Sequence, residues 1–502
     1  MTGPPAGTPL PAGSRLILDG SVRRLDGGRL LAGGFPGRLL RLTAGGAAAL
    51  AALLEGSPTT TAQRLLGRRL VDAGMAHPVA APVPVPGRVT VVVPARDRTD
   101  LLERCLAAVP HDLAVLVVDD GSADPGRVAA VCRRAGATLV TRPVSGGPGA
   151  ARNAALDRVT TELVAFLDSD CVPDPGWLGR LVALFDDPQL GAAAPRIRPL
   201  PAAGTTAAGG RRPSVRQRFV AARSPLDMGR HPGPVGPGRQ VRYVPTAALV
   251  VRRSALVGGA PFDARLRYGE DVDLVWRLVD AAWTVRYLPS ATVGHHEPGS
   301  WRHLLARRFR YGTSAGPLAR RHPGRLAPVE LRPWPTAAAV ALLAGHPVVS
   351  AGITGPAAVR LARTVRPLGV PGSLALRWGV QSTLWTVVGL GRAATVLAGP
   401  ALAVSVGAGR RHRRLARAAL ALALVPPTVE WWQRRPALDP LRWAAASLAD
   451  DLAYGAGVWV GCWRARTLGP LLPGLASGPE ADAGPDRGDP GPATGDTAPG
   501  QV

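Results

Sequence analysis

Between residues 88 and 170, short apolar runs alternate with stretches that have helical spacing. The runs carry hydrophobic residues at nearly every position, which is typical of strands buried on both faces of a sheet. Strands that alternate with helices at this interval predict a parallel, Rossmann-like α/β sheet with right-handed crossovers. The predicted strands lie at 88–94, 113–118, 137–141 and 164–167.

Paired acids follow two of these predicted strands. Asp119 and Asp120 end the second strand, and Asp168 and Asp170 end the fourth, in the sequence VAFLDSD. Ligands of such sheets bind at the carboxyl ends of the strands, so we expect both pairs to lie at one ligand site. Two carboxylates at the end of a buried strand are costly unless a cation neutralises them, which favours a divalent metal there. A solvated turn or a helix cap is the alternative interpretation.

Two further segments place charged residues at the start of a predicted helix. Gly146–Ala155 begins with glycines, and its helix N-terminus and Arg152 suit a phosphate group, although the glycines would also let helix and strand approach closely. Gly269–Asp273 (GEDVD) opens an amphipathic helix. Acids in a first turn are favoured by the helix dipole, so capping is the alternative to a chemical role.

Five motifs stand in a characteristic order along the chain. They are VTVVVPARDR (89–98), VDDGSAD (118–124), GGPGAARNAA (146–155), FLDSD (166–170) and GEDVD (269–273). This set resembles the family 2 glycosyltransferases with the GT-A fold, over about residues 88–315. The resemblance implies a GT-A Rossmann-like nucleotide-sugar domain at 88–330, a nucleotide-sugar donor such as a UDP-hexose, and Mg²⁺ or Mn²⁺ as the cofactor.

The resemblance assigns the nucleotide to the first two motifs. The loop of Pro94 and Arg96 is implied to contact the nucleotide, and Asp97 to hold the ribose or base. Asp120, or alternatively Asp119, is implied to accept a hydrogen bond from the uracil ring nitrogen. On local sequence alone, the alternative interpretation of the first loop is an ordinary surface turn. The alternative for the second loop is an Asx-turn that caps the next helix.

The next two motifs are implied to hold the diphosphate and the metal. Gly147 and Arg152 would face the diphosphate. Asp170 would be the principal metal ligand, and Asp168 would bind the metal or face the ribose. The metal would neutralise charge on the departing nucleoside diphosphate.

The last motif is implied to carry the chemistry. Asp271 would be the base that takes the proton from the acceptor hydroxyl, and Glu270 would position the acceptor. Attack from the face opposite the leaving diphosphate would invert the anomeric centre. After the next strand, His295 or His296 would be a metal or diphosphate ligand. Trp301–Gly312 is only loosely like the Q-x-x-R-W box of processive members, which does not favour long-chain synthesis.

The N-terminal part predicts a small separate domain. Residues 1–14 are rich in proline and glycine and are predicted to be disordered. Residues 15–80 predict two strands and two or three short helices. Such a winged-helix-like module resembles the peptide-recognition domains of enzymes that modify ribosomally made peptides, and a packing extension of the next domain is the alternative. The Pro-rich linker 81–87 marks the boundary.

The C-terminal third predicts apolar helices. We expect residues 331–475 to form a membrane-associated helical region, although a soluble helical domain is the alternative. Residues 476–502 predict a disordered tail, and residues 201–239 predict a mobile loop beside the site. The longest uncharged runs are 336–359, 379–391 and 393–409.

Charge and cysteine content bear on the cellular location of the protein, and they do not indicate nucleic-acid binding. The formal net charge is +25, and all 60 basic residues are arginine. With so much Ala, Gly and Pro, this indicates a GC-rich coding bias, so the charge does not predict nucleic-acid binding; it remains compatible with phosphates and lipid head groups. The four cysteines lack any C-x-x-C pairing, and the N-terminus lacks the segments of a signal peptide. We therefore expect the protein to be located at the cytoplasmic face of the cell membrane.

Together these observations predict an inverting, metal-dependent glycosyltransferase. It would move a hexose, glucose from UDP-glucose, onto a peptide-derived acceptor or precursor peptide. A cell-wall or lipid-linked glycan glycosyltransferase of the same family is one alternative. A catalytically inactive, membrane-anchored binding protein is another, although the intact Asp168, Asp170 and Asp271 argue against it.

Overall fold

The computed structural model of the protein consists of three units that pack against one another. A small N-terminal domain precedes a central α/β domain, and a helical C-terminal domain follows. Residues 1–6 and the predicted tail at 476–502 lie outside the described residues. The described residues are 7–56, 58–79, 81–200, 212–256, 260–407 and 412–475.

The N-terminal domain contains more strands than the pattern predicts. Its described elements are β1 (Arg15–Leu18), β2 (Arg23–Leu25), β3 (Leu30–Gly33), β4 (Arg38–Arg41), α1 (Ala44–Glu55), α2 (Thr61–Asp72) and β5 (Ala76–Val79). β1 pairs with β5, a contact between the two ends of the domain that local pattern does not reveal, and β2, β3 and β4 form a second antiparallel sheet. Leu10 is only 2% exposed in the same core, so packing begins within the segment predicted to be disordered. The winged-helix-like arrangement stays a prediction.

The central domain confirms the predicted α/β architecture. Its sheet joins nine strands, and the four predicted parallel strands lie side by side, with the first strand between the fourth and the second. The first half contains β6 (Val89–Ala95), α3 (Thr99–Ala107), β7 (Ala114–Asp120), α4 (Pro125–Ala135), β8 (Thr138–Arg142), α5 (Pro148–Leu156), β9 (Leu163–Leu167), β10 (Cys171–Pro173) and α6 (Trp177–Val182). The second half contains β11 (Leu190–Pro199), α7 (Val215–Ala222), β12 (Gly233–Pro234), β13 (Ala248–Arg252), α8 (Glu270–Asp280), β14 (Thr284–His295), α9 (Trp301–Gly312), α10 (Ala315–Arg321) and β15 (Glu330–Leu331).

Helices cover both faces of this sheet. Alternate residues of β6 point to opposite cores: Val91 packs in the cluster that contains α3 and α4, and Val92 in the cluster that contains α5 and α8. From β6 the chain crosses to β7 on one side of this strand pair, whereas from β9 it continues to strands on the other side. The strand order therefore reverses between β6 and β9, and such a reversal opens a crevice at the carboxyl ends of the two strands. The site described below lies at this edge.

The segment predicted as a loop at 201–239 contains a helix. Residues 201–211 lie outside the described residues, but α7 follows, with Ser214 and Gln217 forming a capping box. Phe219 and Val220 of α7 are buried against Trp443 of the C-terminal domain. The prediction of a loop was wrong here because the Gly- and Arg-rich composition hid a short helix that tertiary packing stabilises.

The C-terminal domain is helical, as predicted, but its helices begin and end elsewhere. The run 336–359 is not one segment, since a turn at Gly345, with φ +82°, divides it. Conversely, one helix continues through Arg392, and another continues through Pro426 and Pro427. The elements are α11 (Pro333–Leu343), α12 (Pro347–Val365), α13 (Gly372–Gly407), α14 (Arg413–Arg434), α15 (Pro440–Ala465) and β16 (Gly474–Leu475). Among the described residues, α13 alone is long and apolar enough to cross a membrane.

The N-terminal domain is docked on both other units. Arg68 of α2 is 1% exposed and donates to Asp187 of the central domain at 2.6 Å. On another side, Leu30 of β3 packs in one cluster with Val365 and Leu374 of the C-terminal helices. The linker also lies against the central domain, since the Val83 amide donates to the carbonyl of α6 at 3.2 Å.

The C-terminal domain is fixed to the central domain by buried charges. Arg223, directly after α7, lies 3.3 Å from Glu430, 3.3 Å from Asp450 and 2.7 Å from Asp451. Arg308 of α9 contacts Asp450 at 2.8 Å. These contacts hold α14 and α15 directly beside the crevice.

Candidate active site

A cleft of about 830 Å³ opens at the carboxyl end of β9, between the start of α8 and the end of β14. Arg98 and Pro148, which flank the predicted nucleotide loops, form one border of the cleft. The predicted residues Pro94, Arg96, Asp97, Asp120 and Gly147 lie at or beyond the ends of β6, β7 and β8 and do not themselves line it. The predicted residues that line the cleft are Arg152, Asp168, Asp170, Glu270, Asp271, His295 and His296.

Arg152 joins two of the predicted motifs. Its Nη1 donates to Glu270 Oε1 at 2.9 Å, and its Nη2 donates to Asp168 Oδ1 at 2.7 Å. The side chain is 1% exposed and lies 5.5 Å from the ring centroid of Phe262. Arg152 is thus a buried bridge between the two carboxylates, and the predicted contact with a diphosphate would require it to leave one of them.

Asp271 has the environment of a general base. It lies in the first turn of α8, and its only hydrogen bond within the described residues is with its neighbour's amide, Val272 N, at 2.8 Å. Burial, reinforced by the charge of Glu270, raises the pKa of Asp271 to about 7. A carboxylate with a pKa near the working pH combines the correct ionisation with a strong tendency to accept a proton.

Asp273, the third acid of the same helix turn, has a structural role. Asp273 is fully buried and binds Arg277 at 2.9 Å, Arg321 at 2.6 Å and His322 at 2.9 Å. Burial opposes its ionisation, but these partners lower the pKa of Asp273 below its ordinary value. It therefore anchors the first turn of α8 to the end of α10.

Asp170 and His295 lie side by side in the cleft. His295 Nε2 lies 3.5 Å from Asp170 Oδ1, and Arg98 Nη1 lies 3.6 Å from Asp170 Oδ2. The His296 amide also donates to the Asp170 carbonyl at 2.9 Å, which ties the end of β14 to the D-x-D turn. Burial disfavours a charged His295, yet Asp170 and Glu297 together raise its pKa.

These residues fit a divalent cation that also binds substrate. Within the described chain, no group of three His, Cys, Asp or Glu residues forms a complete metal cage. Mg²⁺ typically takes only one or two protein carboxylates and completes its shell with phosphate oxygens and water, and Mn²⁺ accepts similar ligands. Asp170 and His295 could supply two ligands, and Asp168, whose Oδ1 is held by Arg152, could supply a third through Oδ2.

Asp120 organises the glycine-rich loop. It accepts hydrogen bonds from the side chain of Arg142, from Ser145 Oγ at 2.8 Å, from Gly147 N at 2.8 Å and from the preceding amide at 3.1 Å. Arg96 donates to the same Ser145 hydroxyl at 3.0 Å. The four acceptor positions of Asp120 are therefore occupied, and the predicted contact with a uracil nitrogen would require one donor to move.

Asp97 connects the two predicted nucleotide loops. Its backbone has φ +64°, and its carboxylate accepts from Ala123 N at 2.8 Å while its amide donates to Ser122 Oγ at 2.8 Å. Asp119 accepts from Ser122 N at 3.0 Å through Oδ1, and its buried Oδ2 has no partner within the described residues. These hydrogen bonds join the loops after β6 and β7 into one structural unit beside the cleft.

Sequence reasoning missed Glu297 and its partners. The Glu297 side chain is 6% exposed, receives a hydrogen bond from Ser224 Oγ at 3.0 Å, and pairs with Arg307 of α9. Burial opposes its charge, but His295, 3.4 Å away, and Arg307 lower the pKa of Glu297 to about 2. Its place after His295 and His296 was the only local signal, because Ser224 and Arg307 belong to other parts of the fold.

A D-x-D turn and a candidate base at the crevice of a GT-A-like sheet define a class of protein, the sugar-transferring enzymes. Similarity to known proteins confirms this class. The chain belongs to the family 2 glycosyltransferases. The family described as glycosyl transferase family 2 matches residues 90–232, and the one described as glycosyl transferase family group 2 matches residues 163–427.

One relative covers nearly the whole chain. The pre-mycofactocin glycosyltransferase of Mycobacterium tuberculosis is 37% identical over 93% of this chain and 98% of its own length. An N-acetylglucosaminyl-diphospho-decaprenol L-rhamnosyltransferase of the same organism is 34% identical over 40% of this chain and 73% of its own length. A solved mannosyltransferase from Pyrobaculum calidifontis, in complex with GDP-Man and Mn²⁺, has a TM-score of 0.36 and 19% identity, covering 69% of this chain and 89% of its own.

Proposed function

We propose that this glycosyltransferase moves a hexose from a nucleotide-sugar donor to an acceptor hydroxyl with inversion of the anomeric centre. The observation that carries the proposal is Asp271, a carboxylate with a pKa near 7 that lines the same cleft as Asp170 and His295. No second carboxylate is needed as a nucleophile in a single displacement.

In the proposed step, the acceptor hydroxyl oxygen bonds to the anomeric carbon as the bond from that carbon to the diphosphate oxygen breaks. Asp271 accepts the hydroxyl proton, and the nucleoside diphosphate leaves with the bonding electrons. Asp170 and His295, with Asp168, would hold a Mg²⁺ or Mn²⁺ ion, which supplies charge neutralisation at the leaving group. Glu270, held by Arg152, would position the acceptor relative to the donor.

For the substrates, we propose UDP-glucose and a peptide-derived acceptor. The near full-length relative is named for pre-mycofactocin, and this chain shares its N-terminal part as well as its transferase domain. The small domain at 15–80 would then recognise the peptide-derived portion, since it is docked on the central domain through Arg68 and Asp187.

We also propose that the enzyme works at the cytoplasmic face of the membrane. Apolar side chains protrude from the C-terminal helices, including Val348, Val404 and Leu441 at 83%, 73% and 83% exposed. Exposed apolar groups in such number favour a lipid surface. Arginines close to these helices, such as Arg413 and Arg414, would face anionic head groups.

Product analysis tests the proposal. The wild type is incubated with UDP-glucose, Mn²⁺ and pre-mycofactocin, and we expect a product heavier by one or more hexose units, with a β linkage in the proton NMR spectrum. A chelator should abolish transfer, and Mg²⁺ or Mn²⁺ should restore it. An α linkage would contradict inversion, and no turnover of any nucleotide sugar would favour an inactive binding protein.

A lipid-linked glycan is the second candidate acceptor. The relative that acts on an N-acetylglucosaminyl-diphospho-decaprenol acceptor supports it, as do the exposed apolar side chains of the C-terminal helices. The same assay with a polyprenyl-diphospho-sugar distinguishes the two candidates. Transfer to the lipid-linked sugar but not to the peptide-derived compound would favour this second function.

A further inference from the structure

The tyrosines of this chain are concentrated at one place. The sequence contains only five tyrosines among 502 residues, and four of them line the cleft. They come from separate elements: one precedes β13, one precedes α8, one lies in α9 and one in α15. We call this set the tyrosine wall, and it consists of Tyr243, Tyr268, Tyr311 and Tyr454.

The hydroxyl groups of the tyrosine wall are available to a ligand. None of the four has a hydrogen-bond partner within the described part of the chain. The fifth tyrosine, Tyr287, lies outside the cleft, and its hydroxyl donates to the Gly229 carbonyl at 2.7 Å. None of the four hydroxyls is enclosed by the described residues, so each is reached from the cleft, and a polar ligand bound there can replace water as its partner.

The tyrosine wall lines the same cleft as the proposed base, and two of its members lie within reach of the charge of Asp271. Burial, and then the charge of Asp271, raise the pKa of Tyr243 to about 12, and burial with a contribution from Asp271 also raises the pKa of Tyr311. Both tyrosines are therefore neutral hydrogen-bond donors within electrostatic reach of Asp271. The ring centroids of Tyr268 and Tyr311 lie 6.1 Å apart, and the angle between the ring planes is 66°. In this edge-to-face arrangement a ligand ring can contact the remaining ring surface.

Tyr454 shows that the C-terminal domain helps to build this subsite. Its helix α15 touches α9 so closely that a Cβ at Gly312 would lie 2.1 Å from the Tyr454 carbonyl oxygen. Arg308 of α9 stacks over the Tyr454 ring at 5.1 Å and is held by Asp450 at 2.8 Å. The ring is thus fixed in the cleft wall by backbone packing and by an ion pair.

We infer that the tyrosine wall is the acceptor subsite, that it binds a hydroxylated ring, and that the C-terminal helical domain contributes Tyr454 to it. The inference rests on the proposed function, and it specifies the acceptor chemistry. A pyranose or a phenol offers a flat face for the tyrosine rings and a hydroxyl for their OH groups and for Asp271. Open-chain polyols have the hydroxyls without the face.

Small acceptor probes test the chemistry. Wild-type transfer from UDP-glucose is compared for methyl β-D-glucopyranoside, N-acetyltyrosinamide and sorbitol. We expect kcat/KM for at least one ring probe to exceed that for sorbitol at least tenfold, and the better ring probe identifies a pyranose or a phenol as the preferred acceptor. Equal use of sorbitol would overturn the inference, and so would use of none of the probes by an enzyme that does transfer glucose from UDP-glucose to pre-mycofactocin.

Tyrosine variants test the place. We expect Tyr454→Ala to raise KM for the better ring probe about tenfold while KM for UDP-glucose changes less than twofold, and Tyr454→Phe to keep most of the affinity because it keeps the ring. Tyr287→Phe is the matched control outside the cleft and should change neither constant. An unchanged acceptor KM in Tyr454→Ala would overturn the contribution of the C-terminal domain.

A binding arm separates this inference from the proposed function. Ring-probe binding to wild type and Tyr454→Ala is followed by saturation-transfer NMR, without any donor. If the wild type turns over no UDP-glucose but binds the ring probe through Tyr454, the donor proposal fails and the subsite stands. If UDP-glucose is turned over but probe binding does not depend on Tyr454, the subsite fails and the donor proposal stands.

Discussion

At the residue scale, the ionisation of Asp271 should set the pH range of the enzyme. Burial and Glu270 raise its pKa to about 7, and only the ionised form can accept a proton. We therefore expect kcat/KM to be low at pH 5.5 and to rise about tenfold per pH unit until it levels off above pH 7. A pH profile from 5 to 9 measures this, with the residual activity of Asp271→Asn as a control that lacks the group. A flat wild-type profile would contradict the assignment.

Local sequence predicted the acids but not their partners. Asp168 and Asp170 end a buried strand, and Asp271 opens an amphipathic helix, so position in an element was enough to find them. The bridge from Arg152 to Glu270 joins residues far apart in the chain, and nothing near Arg152 signals it. The role of Asp120 in holding the glycine-rich loop was also not predictable from local sequence, because its hydrogen bonds with that loop form only in the folded chain.

At the scale of elements, the contact between α9 and α15 should be intolerant of a single methyl group. A Cβ at Gly312 would lie 2.1 Å from the Tyr454 carbonyl oxygen, and backbone cannot move aside cheaply. We expect Gly312→Ala to lower the free energy of unfolding by about 1–3 kcal/mol, as overpacked sites do. Urea denaturation of the purified protein measures the change.

Gly352 of α12 provides the matched control for that substitution. A Cβ there would meet nothing within 4 Å, so Gly352→Ala should be neutral or stabilising by up to about 1 kcal/mol because alanine favours helix. Equal effects of the two substitutions would show that helix propensity, and not the close approach of α9 and α15, decides the result.

The strands and helices of the central domain were predictable because each carries its own hydrophobic period. The errors arose where tertiary structure overrides composition. The helix α7 lies in a segment of loop-like composition, and its Phe219 finds Trp443 only in the folded chain. In the same way, β1 and β5 form a pair only when the two ends of their domain meet.

At the scale of the whole molecule, Arg68 should hold the N-terminal domain on the transferase domain. Arg68→Ala would leave Asp187, whose side chain is 14% exposed, without its 2.6 Å partner. Loss of one member of a buried ion pair should lower the free energy of unfolding by about 3 kcal/mol. The measurement is urea denaturation, with Arg69→Ala as the control, because this neighbour on α2 is exposed and should change stability by less than about 0.5 kcal/mol. No difference between the two variants would contradict a docked domain.

Composition predicted three units but not the contacts between them. The Pro-rich linker and the apolar C-terminal third marked the boundaries. That the first domain touches the last, through Leu30 and Val365, has no counterpart in the sequence pattern. The buried arginine Arg223, which joins the C-terminal helices to the crevice, was likewise hidden among many arginines.

The most direct test of the account is the rate of transfer by Asp271→Asn. The substitution keeps the size of the side chain and removes its ability to accept a proton. We predict a loss of about 10²- to 10⁴-fold in kcat, with little change in the affinity for UDP-glucose. Asp157→Asn, at the exposed C-terminal end of α5, should retain wild-type activity. If Asp271→Asn instead keeps kcat within about threefold of the wild type, Asp271 is not the base, and the proposed mechanism is wrong.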